Sequence, residues 1–297
     1  MNARPDFVIA GAAKCGTTAL CTYLRSHPRV FIPEQKEPKF FCSDLKTTGG
    51  VYTPEGYEAL FADAPADSVT GEATTLYLYS SIAIEKIMAH NPRARIIVML
   101  RHPVEAAHSF HAAGWSHRLE NIATFEDAWQ LQSERLQGKH IPPAWPDPAT
   151  LQYGELYRYA GQIRRLFAHV PPEQRHVIIY EEFFADPRRH FARLLQFLQV
   201  PGDAPADFTV VNPAMGHRSA RLDRLLREPP HWLRVLYGSM RPLFRPFGVR
   251  PASLIWDMNA VPRSKPALDA GFRAQIERYF APDIAELESL LGRPLCR

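Results

Sequence analysis

Residues 7–18 read Phe7-Val8-Ile9-Ala10-Gly11-Ala12-Ala13-Lys14-Cys15-Gly16-Thr17-Thr18. Phe7–Ala10 is a short apolar run with the pattern of a buried strand, and it breaks at a turn of small residues. Thr17-Thr18-Ala19-Leu20 then opens a helical pattern. Strand, turn and helix N-terminus together make an anion cradle, because free backbone N–H groups converge there and the helix dipole adds partial positive charge. Gly16 lets the backbone approach an oxyanion, Lys14 supplies a point charge, and Thr17 and Thr18 supply hydroxyl donors. Gly11 and Gly16 have the spacing of a Walker A loop, but Thr17 stands where that loop needs its lysine, and Lys14 lies inside the turn instead. The plainer alternative for these residues is a strand-turn-helix corner with a solvated lysine.

A second segment works against that plainer reading. Arg95-Ile96-Ile97-Val98-Met99-Leu100 has the pattern of another buried strand, followed by Arg101-His102-Pro103-Val104-Glu105 and a helix that carries Ser109. Pro103 suits a helix start, since its missing N–H costs nothing there. Arg101 then falls at the C-terminal end of a strand, where open α/β sheets bind ligands. Ser109 lies about two turns into the next helix. A guanidinium fork and a hydroxyl near one crevice suit a phosphate distinct from the one over Lys14. Taken singly, Arg101 reads equally as a surface ion pair and Ser109 as a helix-face hydroxyl.

These residues carry a resemblance. Lys14-Cys15-Gly16-Thr17-Thr18 after a strand resembles the 5′-phosphosulfate-binding loop of sulfotransferases that use 3′-phosphoadenosine 5′-phosphosulfate (PAPS). Arg101 and Ser109 after Ile96–Leu100 resemble that family's 3′-phosphate segment. Val177-Ile178-Ile179-Tyr180-Glu181-Glu182-Phe183 with Asp186-Pro187 is similar to its late strand-and-helix segment, and Glu37-Pro38-Lys39-Phe40-Phe41 and Gly71-Glu72-Ala73 to blocks of its carbohydrate-type, heparan-type and bacterial branch. The ordered set runs from about Phe7 to about Leu198 and implies a PAPS-dependent transfer yielding adenosine 3′,5′-bisphosphate. It also implies an α/β, P-loop-like three-layer fold with a mostly parallel sheet flanked by helices. By the same resemblance, Lys14, Cys15, Gly16, Thr17 and Thr18 hold the 5′-phosphosulfate, and Arg101 and Ser109 hold the 3′-phosphate. A late basic loop joins them, for which His217-Arg218-Ser219 is the candidate, so Arg218 and Ser219 are expected in the donor site. Glu37 matches the catalytic glutamate of the heparan-type branch, with a surface ion pair to Lys36 or Lys39 as the alternative. Lys39 and Glu72 are candidates for acceptor contact or for orienting Glu37. Aryl and steroid members use a histidine instead, and His102 and His108 fit that role poorly because they fall inside the 3′-phosphate segment.

The chemistry agrees with this assignment. Sulfuryl transfer moves less negative charge than phosphoryl transfer, so fixed cations can stand where P-loop kinases use magnesium. No HExxH, CxxC or EF-hand spacing appears, and no metal is expected. A P-loop kinase would need an acidic residue at the end of a strand such as 95–100, where this chain has Arg101. That kinase and a non-catalytic nucleotide-binding module are the alternatives.

The remaining sequence sets bounds. The 297 residues are 46% hydrophobic and 22% charged with a net charge of +4, enough for a full core and mildly basic without a Lys/Arg run, so nucleic acid is not an expected partner. The expectation is one domain over 1–297, with the proline-rich 202–265 irregular and a candidate acceptor-side lid. Helical patterns fall at 54–63, 81–90, 124–137 with a Thr124 cap, 153–167 and 265–291. Cys15, Cys21, Cys42 and Cys296 make no disulfide framework and read as reduced thiols; Cys15 stands at a helix N-terminus, a place that can lower a thiol pKa. No signal peptide and no window of about 18 apolar residues are evident. Eukaryotic carbohydrate members usually carry an anchor and stem before the loop, so a start so close to the strand gives the expectation of a cytoplasmic, bacterial enzyme. The acceptor is expected to be a hydroxyl on a glycan, lipid-linked glycan or secondary metabolite. Tyr77, Tyr79, Trp115, Trp145 and Tyr153 are candidates to line its pocket, with Arg118, His117 and His140 to meet an anionic one.

Overall fold

The computed structural model describes residues 4–202, 208, 215–217, 260–262 and 267–295. Five strands form one sheet in the order β2-β3-β1-β4-β5, all parallel. They are β1 (Phe7–Gly11), β2 (Val30–Phe31), β3 (Val69–Ala73), β4 (Arg95–Leu100) and β5 (Arg175–Ile179). β1 is buried along its whole length and β4 along all but its first residue. Strands paired on both sides and covered on both faces read as continuous apolar runs, which is why these two were legible in the sequence. Gly71 of β3 sits against the ring of Phe7, and a Cβ there would lie 2.1 Å from Phe7 Cζ. The α/β class, the parallel sheet and the flanking helices are as expected.

The helices between strands are α1 (Thr17–Arg25), α2 (Pro54–Ala59), α3 (Ala83–His90), α4 (Pro103–Ser116), α5 (Phe125–Gln130), α6 (Gln132–Leu136), α7 (Tyr153–Leu156) and α8 (Tyr159–His169). After β5 come α9 (Tyr180–Ala185) and α10 (Pro187–Leu198), and the final helix, α11 (Ala270–Leu291), packs on α8 and α4. A short antiparallel pair, β6 (Met215–His217) with β7 (Ala260–Pro262), stands apart from the main sheet. Most of 202–265 lies outside the described residues, including the expected lid.

Among the expected helices that differ in extent, three do so for a reason visible in tertiary contacts. The pattern at 124–137 divides at Leu131 into α5 and α6. Gln132 is drawn toward the next segment, accepting from Gly154 N–H at 2.7 Å through its side chain and from Gln152 Nε2 at 2.9 Å through its carbonyl. Thr124 caps α5 as expected, accepting from Asp127 N–H. The pattern at 153–167 breaks between α7 and α8. Asp283 of α11 reaches across to accept from Ala160 N–H and so serves a first-turn donor of α8 from another helix. α3 starts at Ala83 because Asp44 takes the Ser81 N–H and Ser80 Oγ takes those of Ile82 and Ala83.

Strand order places the crevice. The chain runs from β1 outward to β2, returns to β3 beside β1, and then crosses to β4 on the other side. Parallel strands present all their C-terminal ends on one edge. The segments after β1, β2, β3, β4 and β5 therefore share that edge, with the switch point at β1.

Candidate active site

The turn after β1 is held from below. Ala12 N–H donates to Met99 O at 2.8 Å, Tyr157 Oη–H donates to Ala13 O at 3.2 Å, and Leu78 N–H donates to Ala10 O at 2.8 Å. Lys14 is exposed on top of the turn in a left-handed backbone conformation, φ 61°. Gly16 follows at φ 89°, and a Cβ there would meet the Tyr180 ring at 3.0 Å, so both the backbone and the space exclude a side chain. Gly16 is the N-cap of α1, and no side chain caps that helix. The first-turn amides thus face the crevice, with Lys14 and the part-exposed Thr18 beside them, while Thr17 is buried.

Cys15 departs from expectation. It is completely buried, its Sγ 3.4 Å from Tyr159 Oη, and burial pushes its thiol up to about 12. Desolvation outweighs the helix N-terminus here. Cys21 and Cys42 are likewise buried free thiols, and Cys296 lies outside the described residues.

Arg101 follows β4, the neighbour of β1. Its guanidinium lies over the Tyr180 ring, 4.4 Å from the centroid, with Glu181 Oε1 4.0 Å from Nε. That Nε is buried and makes no hydrogen bond among the described residues. The unbonded guanidinium nitrogen after β4 and the uncapped helix N-terminus after β1 each suit an anion, since each presents N–H donors. Ser109 lies on α4, half-buried. Arg218 and Ser219 lie outside the described residues.

Glu37 comes from the segment after β2 and docks on the residues after β3. Its N–H donates to Ala73 O at 2.9 Å. Thr75 N–H donates to Glu37 Oε2 at 2.9 Å, and the Thr75 hydroxyl lies 3.1 Å from Oε1 and 3.3 Å from Oε2. Lys36 Nζ pairs with Oε1 at 2.8 Å, so the ion pair weighed from sequence is present, with Lys36 as the partner. Lys39 instead turns its Nζ to Thr48 O at 2.8 Å and anchors its N–H on Thr74 Oγ1 at 3.2 Å. Glu37 and Lys39 both carry left-handed backbones, φ 60° and 57°. Such conformations concentrate where a loop is fixed for function.

Similarity to known proteins decides the family. The family model for the sulfotransferase domain matches residues 4–209. The chain belongs to the sulfotransferase domain family. It is 29% identical over 194 residues to human heparan sulfate glucosamine 3-O-sulfotransferase 3B1, covering 65% of this chain and 46% of that protein. It is 25% identical over 209 residues to mouse bifunctional heparan sulfate N-deacetylase/N-sulfotransferase 3, covering 66% of this chain and 22% of that one. The matched region thus spans less than half the length of these relatives. A sulfotransferase from Alicyclobacillus acidocaldarius superposes with a TM-score of 0.69 at 25% identity, covering 99% of this chain and 98% of the other.

Within this sulfotransferase domain, Glu72 departs from one of its two expected roles, acceptor contact. It is 1% exposed, accepts from Tyr57 Oη–H at 3.1 Å and Thr74 Oγ1–H at 3.0 Å, and is pushed up to about 7 by burial. Direct acceptor contact is closed to it in this structure; it holds Thr74, which in turn holds the Lys39 backbone. Tyr77, Tyr153 and Trp145 belong to the core, leaving Tyr79 and Trp115 half-exposed, with the Tyr79 hydroxyl donating to Ala149 O. His140 pairs with Glu134 at 3.0 Å, and the His117 ring contacts Ala113 O in the last turn of α4. Burial lowers the pKa of His102 and packs His108 against Phe125.

Thr75 and the Tyr180 ring were not singled out from sequence as site residues. Thr-Thr after a Gly-Glu-Ala strand end carries no periodic signal, and only the docked loop shows what Thr75 serves. Among the described residues there is no group of His, Cys, Asp or Glu placed to hold a metal ion, and no helix long and apolar enough to cross a membrane.

Proposed function

We propose that this chain transfers the sulfuryl group of PAPS to a hydroxyl of a glycan, lipid-linked glycan or secondary metabolite, by direct in-line transfer. The observation that carries the reading is the pair of anion positions flanking β1: the uncapped N-terminus of α1 under Lys14, and the orphaned Arg101 Nε after β4. Two separated anion sites at one switch point match a nucleotide bearing both a 5′-phosphosulfate and a 3′-phosphate. Lys14, Cys15, Gly16, Thr17 and Thr18 form the first position; Arg101 and Ser109 form the second, with Arg218 and Ser219 assigned to it by resemblance. The relatives named for heparan sulfate favour a saccharide acceptor. The whole of 1–297 is read as one such domain.

In this reading PAPS brings an activated sulfuryl group whose S–O bond to phosphate breaks as the acceptor oxygen bonds to sulfur. Lys14 meets the charge growing on the bridging oxygen, and the α1 amides meet the phosphosulfate oxygens. Glu37 accepts the proton leaving the acceptor hydroxyl. Lys39 stands beside Glu37 on the acceptor side.

Calorimetry and labelled transfer test this together. Adenosine 3′,5′-bisphosphate should bind at least about tenfold tighter than 5′-AMP, as a charge-assisted contact to Arg101 implies. Equal binding defeats the donor assignment. Radiolabelled sulfate from PAPS, incubated with an extract of the source organism, should enter an alcohol identified by mass analysis. Label confined to phenols, steroids or tyrosine defeats the acceptor class. Transfer should persist in EDTA, whereas magnesium-dependent turnover of ATP would favour the kinase.

A further inference from the structure

We propose that Thr75 is the positioning residue for Glu37, aiming Glu37 Oε2 at the acceptor hydroxyl; the proposal rests on reading Glu37 as the base. Glu37 stands on a loop with a quarter of its side chain exposed, where an untethered carboxylate would sample several rotamers. Thr75 tethers it from a different element. Its N–H donates to Oε2 and its hydroxyl approaches both oxygens, closer to Oε1. Thr75 is the second residue past the end of β3, which is hydrogen-bonded to β1, the strand that carries the Lys14 turn. The carboxylate is thereby referenced to the same sheet as the cation it must work with. Lys36 also contacts Oε1, but it is the adjacent residue on the same loop and moves with it.

The acceptor count singles out one atom. A carboxylate offers about four lone-pair directions, two on each oxygen. On Oε1 the Lys36 ammonium and the Thr75 hydroxyl occupy both, at 2.8 Å and 3.1 Å. On Oε2 the Thr75 N–H, at 2.9 Å, occupies one. Among the described residues the second Oε2 direction takes no donor as close, and it is assigned to the proton of the acceptor. Beneath this clamp, Glu72 holds Thr74 and Thr74 holds the Lys39 N–H, which keeps the loop seated on β3.

The test compares T75V, T75S and E37Q in labelled transfer from PAPS to the acceptor fraction isolated above. Valine keeps the N–H and the branched shape but removes the hydroxyl; serine keeps the hydroxyl and loses a methyl. T75V should lower kcat about tenfold while KM and the affinity for adenosine 3′,5′-bisphosphate stay within about twofold, the signature of a misaimed base. T75S should keep at least about half of wild-type kcat. A purely packing role reverses that order, with valine the better replacement. T75V at wild-type kcat beside an inactive E37Q overturns the proposal. A fully active E37Q instead removes the base assignment beneath it.

Discussion

Lys14 and Arg101 both carry positive charge at the crevice, yet their settings assign them different work. Lys14 is exposed on the turn above the α1 amides, and in the proposed transfer it meets the charge that develops as the S–O bond breaks. Removing a donor aimed at such charge costs turnover chiefly, on the order of a hundredfold. K14A should therefore lower kcat about that much while weakening adenosine 3′,5′-bisphosphate binding by less than about tenfold. Arg101 is held over Tyr180 with an unbonded Nε, and in the proposed site it meets the 3′-phosphate already in the ground state. R101A should weaken the bisphosphate by about ten- to a hundredfold and leave 5′-AMP almost unchanged, because only the former carries the 3′-phosphate. Calorimetry and initial rates on the two variants check the split, and equal loss of both nucleotides in R101A would contradict it.

The short elements between β4 and β5 depend on polar contacts made across loops. Arg135 of α6 and Glu120 after α4 are fully buried, joined by bonds of 2.8 Å and 2.7 Å, and Tyr153 of α7 donates to the same carboxylate at 2.7 Å. Glu120 also accepts the N–H groups of Asn121 and Ile122. This pair seals the corner where α4, α6 and α7 meet. Removing one partner leaves an uncompensated buried charge, so R135M should cost about 3–5 kcal/mol in urea unfolding. A smaller loss is expected for E120Q, which keeps the shape and one carbonyl acceptor; equal stability of R135M and wild type would contradict this account.

Two groups, the buried Glu72 and the half-buried His176, give the whole protein an opposed pH response. Glu72 has its carboxyl raised from 4.5 to about 7 by burial, so folding favours its protonated form. Its contribution is fully present below about 4.5 and lost as pH rises through about 7. Burial lowers His176, stacked on Phe197, from 6.5 to about 4, and Arg293 adds to the effect. Its contribution is present above about 6.5 and lost as pH falls through about 4. Each spans up to about 3 kcal/mol, and across the shared window the two slopes offset one another. E72Q should make stability rise with pH between about 4.5 and 6.5, and H176Q should make it fall there. Thermal melts across that range read both signs; parallel curves for the two variants would exclude this balance.

Local patterns determined a good deal by themselves. The apolar runs of β1 and β4, the small-residue turn with Lys14, and Arg101 before Pro103 are each contained within a dozen residues. Burial of a strand on both faces and the needs of a helix start write themselves into such short stretches. The α/β class was therefore legible, as were the strand-turn-helix corner around Lys14 and the place of Arg101 at the end of a strand, while the resemblance supplied Glu37 as a candidate. Tertiary structure decided the rest. Thr75 meets Glu37 across 38 residues of chain, Asp283 serves Ala160 across 123, and Tyr159 helps bury Cys15 across 144. A polar partner supplied from another element leaves no periodic mark on either segment, because each bond satisfies one atom rather than a face. The same holds for the Cys15 thiol: its place at a helix N-terminus was visible in the sequence, but the desolvation that overrides it belongs only to the packed molecule.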